Sequence, residues 1–198
     1  MLRRSSRMRI IAGALKGRRL APVKGRLRPT AAKVREAVFD ILGPVVSGVR
    51  VLDLFAGTGA LGIEALSRGA AATWFVEDQP GALQVPRRNL EDLDLVARAT
   101  VWALPAIAAL KKLAGRKERF GLAFLDPPYG GGEAEAALWA LAALNLCEAG
   151  AWVVVEHSRR QTLPEECDPL RRIKVRRYGD TQVTYYLAEN QDNRSTNN

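Results

Sequence analysis

From Val49 to His157 the chain repeats one unit, a short apolar run suited to a buried strand followed by a longer run with helical spacing. The strand-like runs are VRVLDLF (49–55), ATWFVE (72–77), ATVWA (99–103), FGLAFLD (120–126) and AWVVVEH (151–157). Between them lie ALGIEALSR (60–68), ALQVPRRNLEDL (82–93, weakened by Pro86), PAIAALKKLA (105–114) and EAEAALWALAAL (133–144). Strand–helix–strand repeats close only by right-handed crossovers, which build a parallel sheet with helices on both faces. RRIKVRRYG (171–179) and TQVTYYLAE (181–189) follow with period two and no helix between them, so they form an antiparallel hairpin. The expectation is an α/β domain with a mostly parallel seven-stranded sheet and an antiparallel C-terminal hairpin.

Ahead of this core lies a segment of different character. Residues 1–35 contain twelve Lys and Arg and no acid, in a chain of 198 residues with net charge +9. The remainder is slightly acidic, so the positive excess lies in the N-terminal arm, and an arm so one-sided calls for a polyanion. Within it RIIAG and RRLAPV read as a short hairpin. Thr30 caps a helix through AAKVREAVFDIL, whose stripe is Val34, Val38, Ile41 and Leu42, and Gly43-Pro44 stops it. The expected organisation is a basic arm and helix over 1–44, a catalytic domain over 45–189 and a disordered polar tail over 190–198.

Asp53-Leu-Phe-Ala-Gly57-Thr-Gly59-Ala-Leu-Gly62 follows the first strand and opens a helix, with Glu77 twenty residues past Gly57 at the next strand end. The glycine spacing with a distal acid is a dinucleotide fingerprint, the acid serving ribose hydroxyls. Asp53 argues against a dinucleotide, because a carboxylate there repels a pyrophosphate on the helix N-terminus. S-adenosylmethionine presents a sulfonium and an ammonium instead, and an acid favours both. Asp53 as a mere cap of the turn is the plainer alternative.

The fourth strand ends in Asp126-Pro127-Pro128-Tyr129. Ligands of open α/β sheets bind beyond the carboxyl ends of the strands. An exocyclic amine of a base is a poor nucleophile, since its lone pair is delocalised into the ring. Asp126 and the Pro127 carbonyl can each accept an N–H bond and aim that lone pair at a methyl group. The prolines fix the backbone, and Tyr129 offers a stacking face to an extruded base. An ordinary Pro-Pro turn is the structural alternative. No metal is needed: Cys147, Cys167 and His157 have no ligand spacing.

Taken together, MRIIAG (8–13), LRPT (27–30), VREAVFDIL (34–42), LDLFAGTGALGIEALSRGA (52–70), FVE (75–77), FLDPPY (124–129) and VVVE (153–156) resemble the bacterial RsmD-like 16S rRNA guanine-N2 methyltransferases from Met8 to about Leu187. The resemblance implies a class I, Rossmann-like S-adenosylmethionine-dependent methyltransferase fold and methylation of the N2 amine of one guanine in small-subunit rRNA, with S-adenosylhomocysteine as the product. It implies catalysis at Asp126, Pro127, Pro128 and Tyr129, and cofactor contacts at Asp53, Phe55, Ala56, Gly57, Thr58, Gly59, Glu77 and Asp78. RNA contacts would come from Arg9, Lys16, Arg18, Arg19, Arg28, Thr30 and Arg35. Where the family often offers Asp or Asn near adenine, this chain has Ala103-Leu104-Pro105-Ala106, so recognition there is either through the backbone or of a different kind. Alternatives are an N6-adenine amino-methyltransferase acting on DNA or RNA, a non-catalytic ribosome-assembly RNA-binding protein and, least favoured, an NAD-dependent oxidoreductase. The expected partner is small-subunit rRNA or the assembling 30S particle, met by a monomer in the cytoplasm, with no membrane association. His157 reads as a strand-end residue, and Trp74, Trp102, Trp139 and Trp152 as core.

Overall fold

The computed structural model describes residues 8–21, 32–79, 81–128 and 130–189. The strands are β1 (Arg50–Asp53), β2 (Ala72–Glu77), β3 (Ala99–Ala103), β4 (Phe120–Leu125), β5 (Cys147–Ser158), β6 (Glu166–Cys167), β7 (Leu170–Tyr178) and β8 (Thr181–Ala188). The α-helices are α1 (Ala32–Leu42), α2 (Ala60–Ser67), α3 (Gln84–Asp92), α4 (Ala106–Gly115) and α5 (Glu133–Ala143). The strands form one sheet in the order β3-β2-β1-β4-β5-β8-β7-β6. Pairing is parallel from β3 to β5 and antiparallel from β5 to β6. The expected seven strands are present, and the eighth is the two-residue edge strand β6, too short to leave a period in the sequence.

Alternation along the strands divides the core in two. Leu52, Ala123, Leu125, Val153 and Val155 face α4 and α5, joined by Leu110, Leu113, Leu138 and Leu141. Val51, Leu122, Phe124, Val154 and Tyr185 face α1, α2 and α3, joined by Val38, Phe39, Ile63 and Leu90. The switch point lies between β1 and β4, where the order reverses; the carboxyl ends of β1, β2, β4 and β5 open toward the same edge.

Several local readings are refined. Pro86 is the third residue of α3, in the first turn, where its missing N–H costs no helical bond. Gly43-Pro44 ends α1, but the chain continues as a 3-10 turn over Gly43–Val46. Among the described residues, the arm hairpin shows one antiparallel bridge, Arg9 with Arg19. Trp139 departs from the core expectation: it is 46% exposed. Ala134, Ala137, Leu138 and Leu141 take the buried stripe of α5, and one residue beyond Leu138 the helix has turned away from it. Residues 1–7, Thr30 and the tail over 190–198 lie outside the described residues.

Candidate active site

Two strand ends carry the site. Asp53 closes β1, and its register partner on β4 is Phe124; the Leu54 N–H donates to the Phe124 carbonyl at 3.0 Å. Asp126 follows two residues later, so the glycine-rich turn and the Asp-Pro-Pro segment leave the sheet side by side. Asp126 is half-buried, Pro127 is buried and Pro128 exposed. Tyr129 lies outside the described residues.

Asp53 is 1% exposed. Its Oδ2 accepts the Gly62 N–H at 3.0 Å, which caps the first turn of α2. The capping role that the sequence allowed is therefore real. Burial pushes its carboxyl up from 3.8 to about 7, opposed by the Gly62 N–H and reinforced by Glu77. Gly62 lets α2 approach the sheet closely: a Cβ there would sit 2.3 Å from Phe75 Cε1.

Glu77 spans the turn. Its Oε2 accepts the Gly57 N–H at 2.9 Å and its Oε1 the Gln79 N–H at 3.1 Å. Burial raises its carboxyl, the two backbone donors lower it, and Asp78 raises it further. Glu77, Asp78 and Glu133 line a cavity of about 180 Å³ together with Leu54, Phe55, Leu104, Pro105 and Ala106. Acids over apolar walls suit a ribose bearing a flat, uncharged base. Phe55 lines this cavity, whereas Ala56, Gly57, Thr58 and Gly59 form the turn itself: the Ala56 N–H donates to the Val76 carbonyl at 2.8 Å. A second, narrower cleft opens on the α1 side, lined by Val38, Leu61, Phe124, Asp126, Glu156 and Val183. Asp126 thus faces a cleft distinct from the cavity at Glu77. Glu156 follows Val155, the register partner of Leu125, and so lies beside Asp126; in the sequence it stands only as the last residue of VVVE.

The arm docks against α2 and α3. Glu64, 1% exposed, accepts the Ile11 and Ala12 N–H groups at 2.8 and 2.9 Å. Ser67 Oγ accepts the Leu15 N–H at 3.0 Å and donates to the Ala12 carbonyl at 2.6 Å. A Cβ on Gly13 would lie 1.9 Å from the Ser67 carbonyl oxygen, so the glycine of MRIIAG permits this approach. Asn89 accepts the Ala21 N–H at 2.7 Å and donates to the Thr58 carbonyl at 3.1 Å, tying arm to glycine turn.

Arg9, Lys16, Arg18 and Arg19 are exposed on this docked arm, although Arg18 also donates to the Asp92 carbonyl at 2.8 Å. Arg35 corrects its expected role as an RNA contact, being 1% exposed. It donates to the Arg9 carbonyl at 2.6 Å and pairs with Glu64 at 3.8 Å, and burial pushes its guanidinium below the usual value. The apolar stripe of α1 turns Arg35 inward with Val34 and Val38. Arg28 and Thr30 lie outside the described residues. His157 is buried, with Nε2 at 2.9 Å from Thr184 Oγ1 and Nδ1 at 3.0 Å from the Ser158 carbonyl; both ring nitrogens are engaged structurally.

Sheet order, the antiparallel C-terminal hairpin and the glycine turn at the switch point together define the class I, Rossmann-like fold of the S-adenosylmethionine-dependent methyltransferases. Within that class the chain belongs to the family described as conserved hypothetical protein 95, the RsmD family, which matches residues 8–187. It is 42% identical to YlbH of Bacillus subtilis (strain 168) over 180 residues, covering 90% of this chain and 98% of the relative. It is 37% identical to ribosomal RNA small subunit methyltransferase D of Escherichia coli (strain K12) over 153 residues, 77% of this chain and 72% of the relative. The solved structure of yhhF from Escherichia coli superposes with a TM-score of 0.81 at 34% identity, covering 93% of this chain and 99% of the other.

Proposed function

We propose that this protein transfers the methyl group of S-adenosylmethionine to the N2 amine of a guanine in small-subunit ribosomal RNA. The observation that carries the reading is the juxtaposition of Asp126 and Asp53, on adjacent strand ends with Phe124 and Asp53 in register. The name of the Escherichia coli relative supports the small-subunit RNA as the substrate.

The donor site fits S-adenosylmethionine better than a dinucleotide. Glu77 and Asp78 have acceptors for ribose hydroxyls, and Leu54, Phe55, Leu104, Pro105 and Ala106 offer apolar walls for adenine. Asp53 is buried at the turn, where a cation would favour its ionised form and a pyrophosphate would oppose it. When bound, S-adenosylmethionine supplies an electrophilic methyl group. The chain itself then has one principal task, which is positioning. Asp126 and the Pro127 carbonyl accept the two N–H groups of the amine and turn its lone pair toward the donor. Pro127 and Pro128 hold those acceptors without reorganisation. Tyr129 stacks on the extruded base, and the exposed cations of the arm take phosphates. The protein acts as a monomer in the cytoplasm, on rRNA or the assembling particle.

The test is transfer of labelled methyl groups to small subunits from cells lacking the gene, with the label mapped to a nucleoside. Label at guanine N2 of one small-subunit position is the expected result. Label at adenine N6, or tight NAD binding without S-adenosylmethionine binding in calorimetry, overturns the reading.

A further inference from the structure

The cations of β7 are not distributed like a solvated strand. Toward its start, Arg171 pairs with Glu166 at 3.3 Å and Glu189 at 2.8 Å, and Arg172 pairs with Glu165. Toward its end, Lys174 and Arg176 have no carboxylate partner among the described residues; the contact of Arg176 is its own neighbour, the Val175 carbonyl, at 3.1 Å. The acids that cancel the charge of this strand therefore gather at one end and leave the other end cationic.

That cationic end adjoins the acceptor cleft. β8 runs opposite to β5, and β7 opposite to β8, so β7 ends at the same edge of the sheet as β4 and β5. Arg176 is the register partner of Val183, and Val183 is the partner of Glu156. Cross-strand partners project to the same face. Val183 and Glu156 both line the cleft that holds Asp126. A single row thus crosses four strands as Asp126, Glu156, Val183 and Arg176, with Arg176 about 10 Å from Glu156 at two strand spacings. Lys174 opposes Tyr185, a core residue of the same face. A register shift between Arg172 and Lys174 separates the two halves of the strand. Val38 of α1 lines the cleft, and Arg35 of α1 donates to the Arg9 carbonyl of the docked arm, where Arg9, Lys16, Arg18 and Arg19 are exposed.

We infer that Lys174 and Arg176 form a second RNA-phosphate surface, placed across the acceptor cleft from the N-terminal arm. The inference rests on the proposed RNA substrate and deepens it. A base held at the mouth of the cleft, over Asp126, leaves its flanking phosphates on both sides. The arm meets one flank, and the end of β7 meets the other. Arg supplies a forked donor to phosphate, and Lys, the register partner of Tyr185, a point charge. Neither reads sequence; both fix the register of the backbone so that one base meets Asp126.

Two variants of equal charge test this on the full chain. Lys174→Gln/Arg176→Gln removes two cations at the cleft end, and Arg171→Gln/Arg172→Gln removes two at the paired end. Binding to small-subunit rRNA, naked and in the particle, is measured against salt, with S-adenosylmethionine affinity and a thermal melt on the same preparations. The cleft-end pair is expected to weaken RNA binding on the order of tenfold near 0.1 M salt. It should lower the salt slope by about 1.5, the effect of two lost phosphate contacts. Cofactor affinity should stay unchanged, and the paired-end variant should keep nearly wild-type RNA affinity and slope. Equal losses in both variants would show a net-charge effect and overturn the surface. An unchanged slope in the cleft-end variant, beside salt-sensitive wild-type binding, overturns it while leaving the RNA substrate intact. A wild-type protein without salt-sensitive RNA binding removes the RNA reading and this surface with it.

Discussion

Asp126 and Asp53 are both carboxylates at strand ends, yet their surroundings give them different work. Asp126 faces the cleft on the α1 side, half-buried. Replacing it with Ala should lower kcat on the order of 10²–10³-fold by single-turnover measurement, as loss of a contact that orients the reacting group does. A lowered melt of about 1 kcal/mol with unchanged turnover would instead mark a turn cap. Asp53 is buried with its carboxyl pushed up to about 7. Folding favours its protonated form, so its contribution to stability is complete below pH about 4 and is lost as the pH rises to about 7. Asp53→Asn should therefore flatten the pH dependence of the melt over that range and raise the melting point near pH 8. Wild-type affinity for S-adenosylmethionine should climb as the pH rises through about 7, and the variant should bind about tenfold more weakly near pH 8. A variant with wild-type affinity there would remove Asp53 from the cofactor site. Both aspartates were legible in the sequence because each ends an apolar strand beside a turn signal. The Gly62 bond of Asp53 was legible only as an alternative, since spacing alone does not tell a cap from a ligand.

At the scale of elements, α2 joins the arm, the sheet and the glycine turn. Glu64 receives the arm through two backbone N–H groups and also receives Arg68 Nε at 2.9 Å. Removing its charge leaves Arg35 buried with Nε and Nη1 already without hydrogen bonds among the described residues. Glu64→Gln should cost about 3–5 kcal/mol in denaturant unfolding, the scale for breaking a buried pair. Amide exchange at Ile11 and Ala12 should accelerate with it, and unchanged protection there would contradict the docking role. Gly62→Ala drives a methyl group into the buried Phe75 ring and should cost about 1–3 kcal/mol, read from the same unfolding curves. The helices and central strands were legible because their apolar periods are clean. Arg35 was not: an arm read as a charge run treats its cations alike. Only the inward stripe of α1 and a partner on α2, 29 residues away, distinguish it. The exposure of Trp139 was not legible for the converse reason: its aromatic character suggests the core, whereas its place beside the α5 stripe rather than on it decides.

For the molecule as a whole, net charge was an incomplete guide. Counting placed the positive excess in residues 1–35, and as a count that is correct. The sheet nevertheless separates the β7 cations from the acids that cancel them in the sum, which no count along the chain detects. The same holds for the site. Its parts could be named from the sequence, but the register of Asp53 with Phe124 and of Glu156 with Val183 is fixed only by the fold. In the proposed function these adjacent strand ends are the donor side and the acceptor side. The most direct test follows the methyl group itself. Wild-type protein and Asp126→Ala are each incubated with labelled S-adenosylmethionine and small subunits from cells lacking the gene, and the rRNA is digested to nucleosides. The expected result is label in N2-methylguanosine with wild type and little or none with the variant, although the variant binds the cofactor normally. Label in another nucleoside, or equal labelling by both proteins, would contradict it.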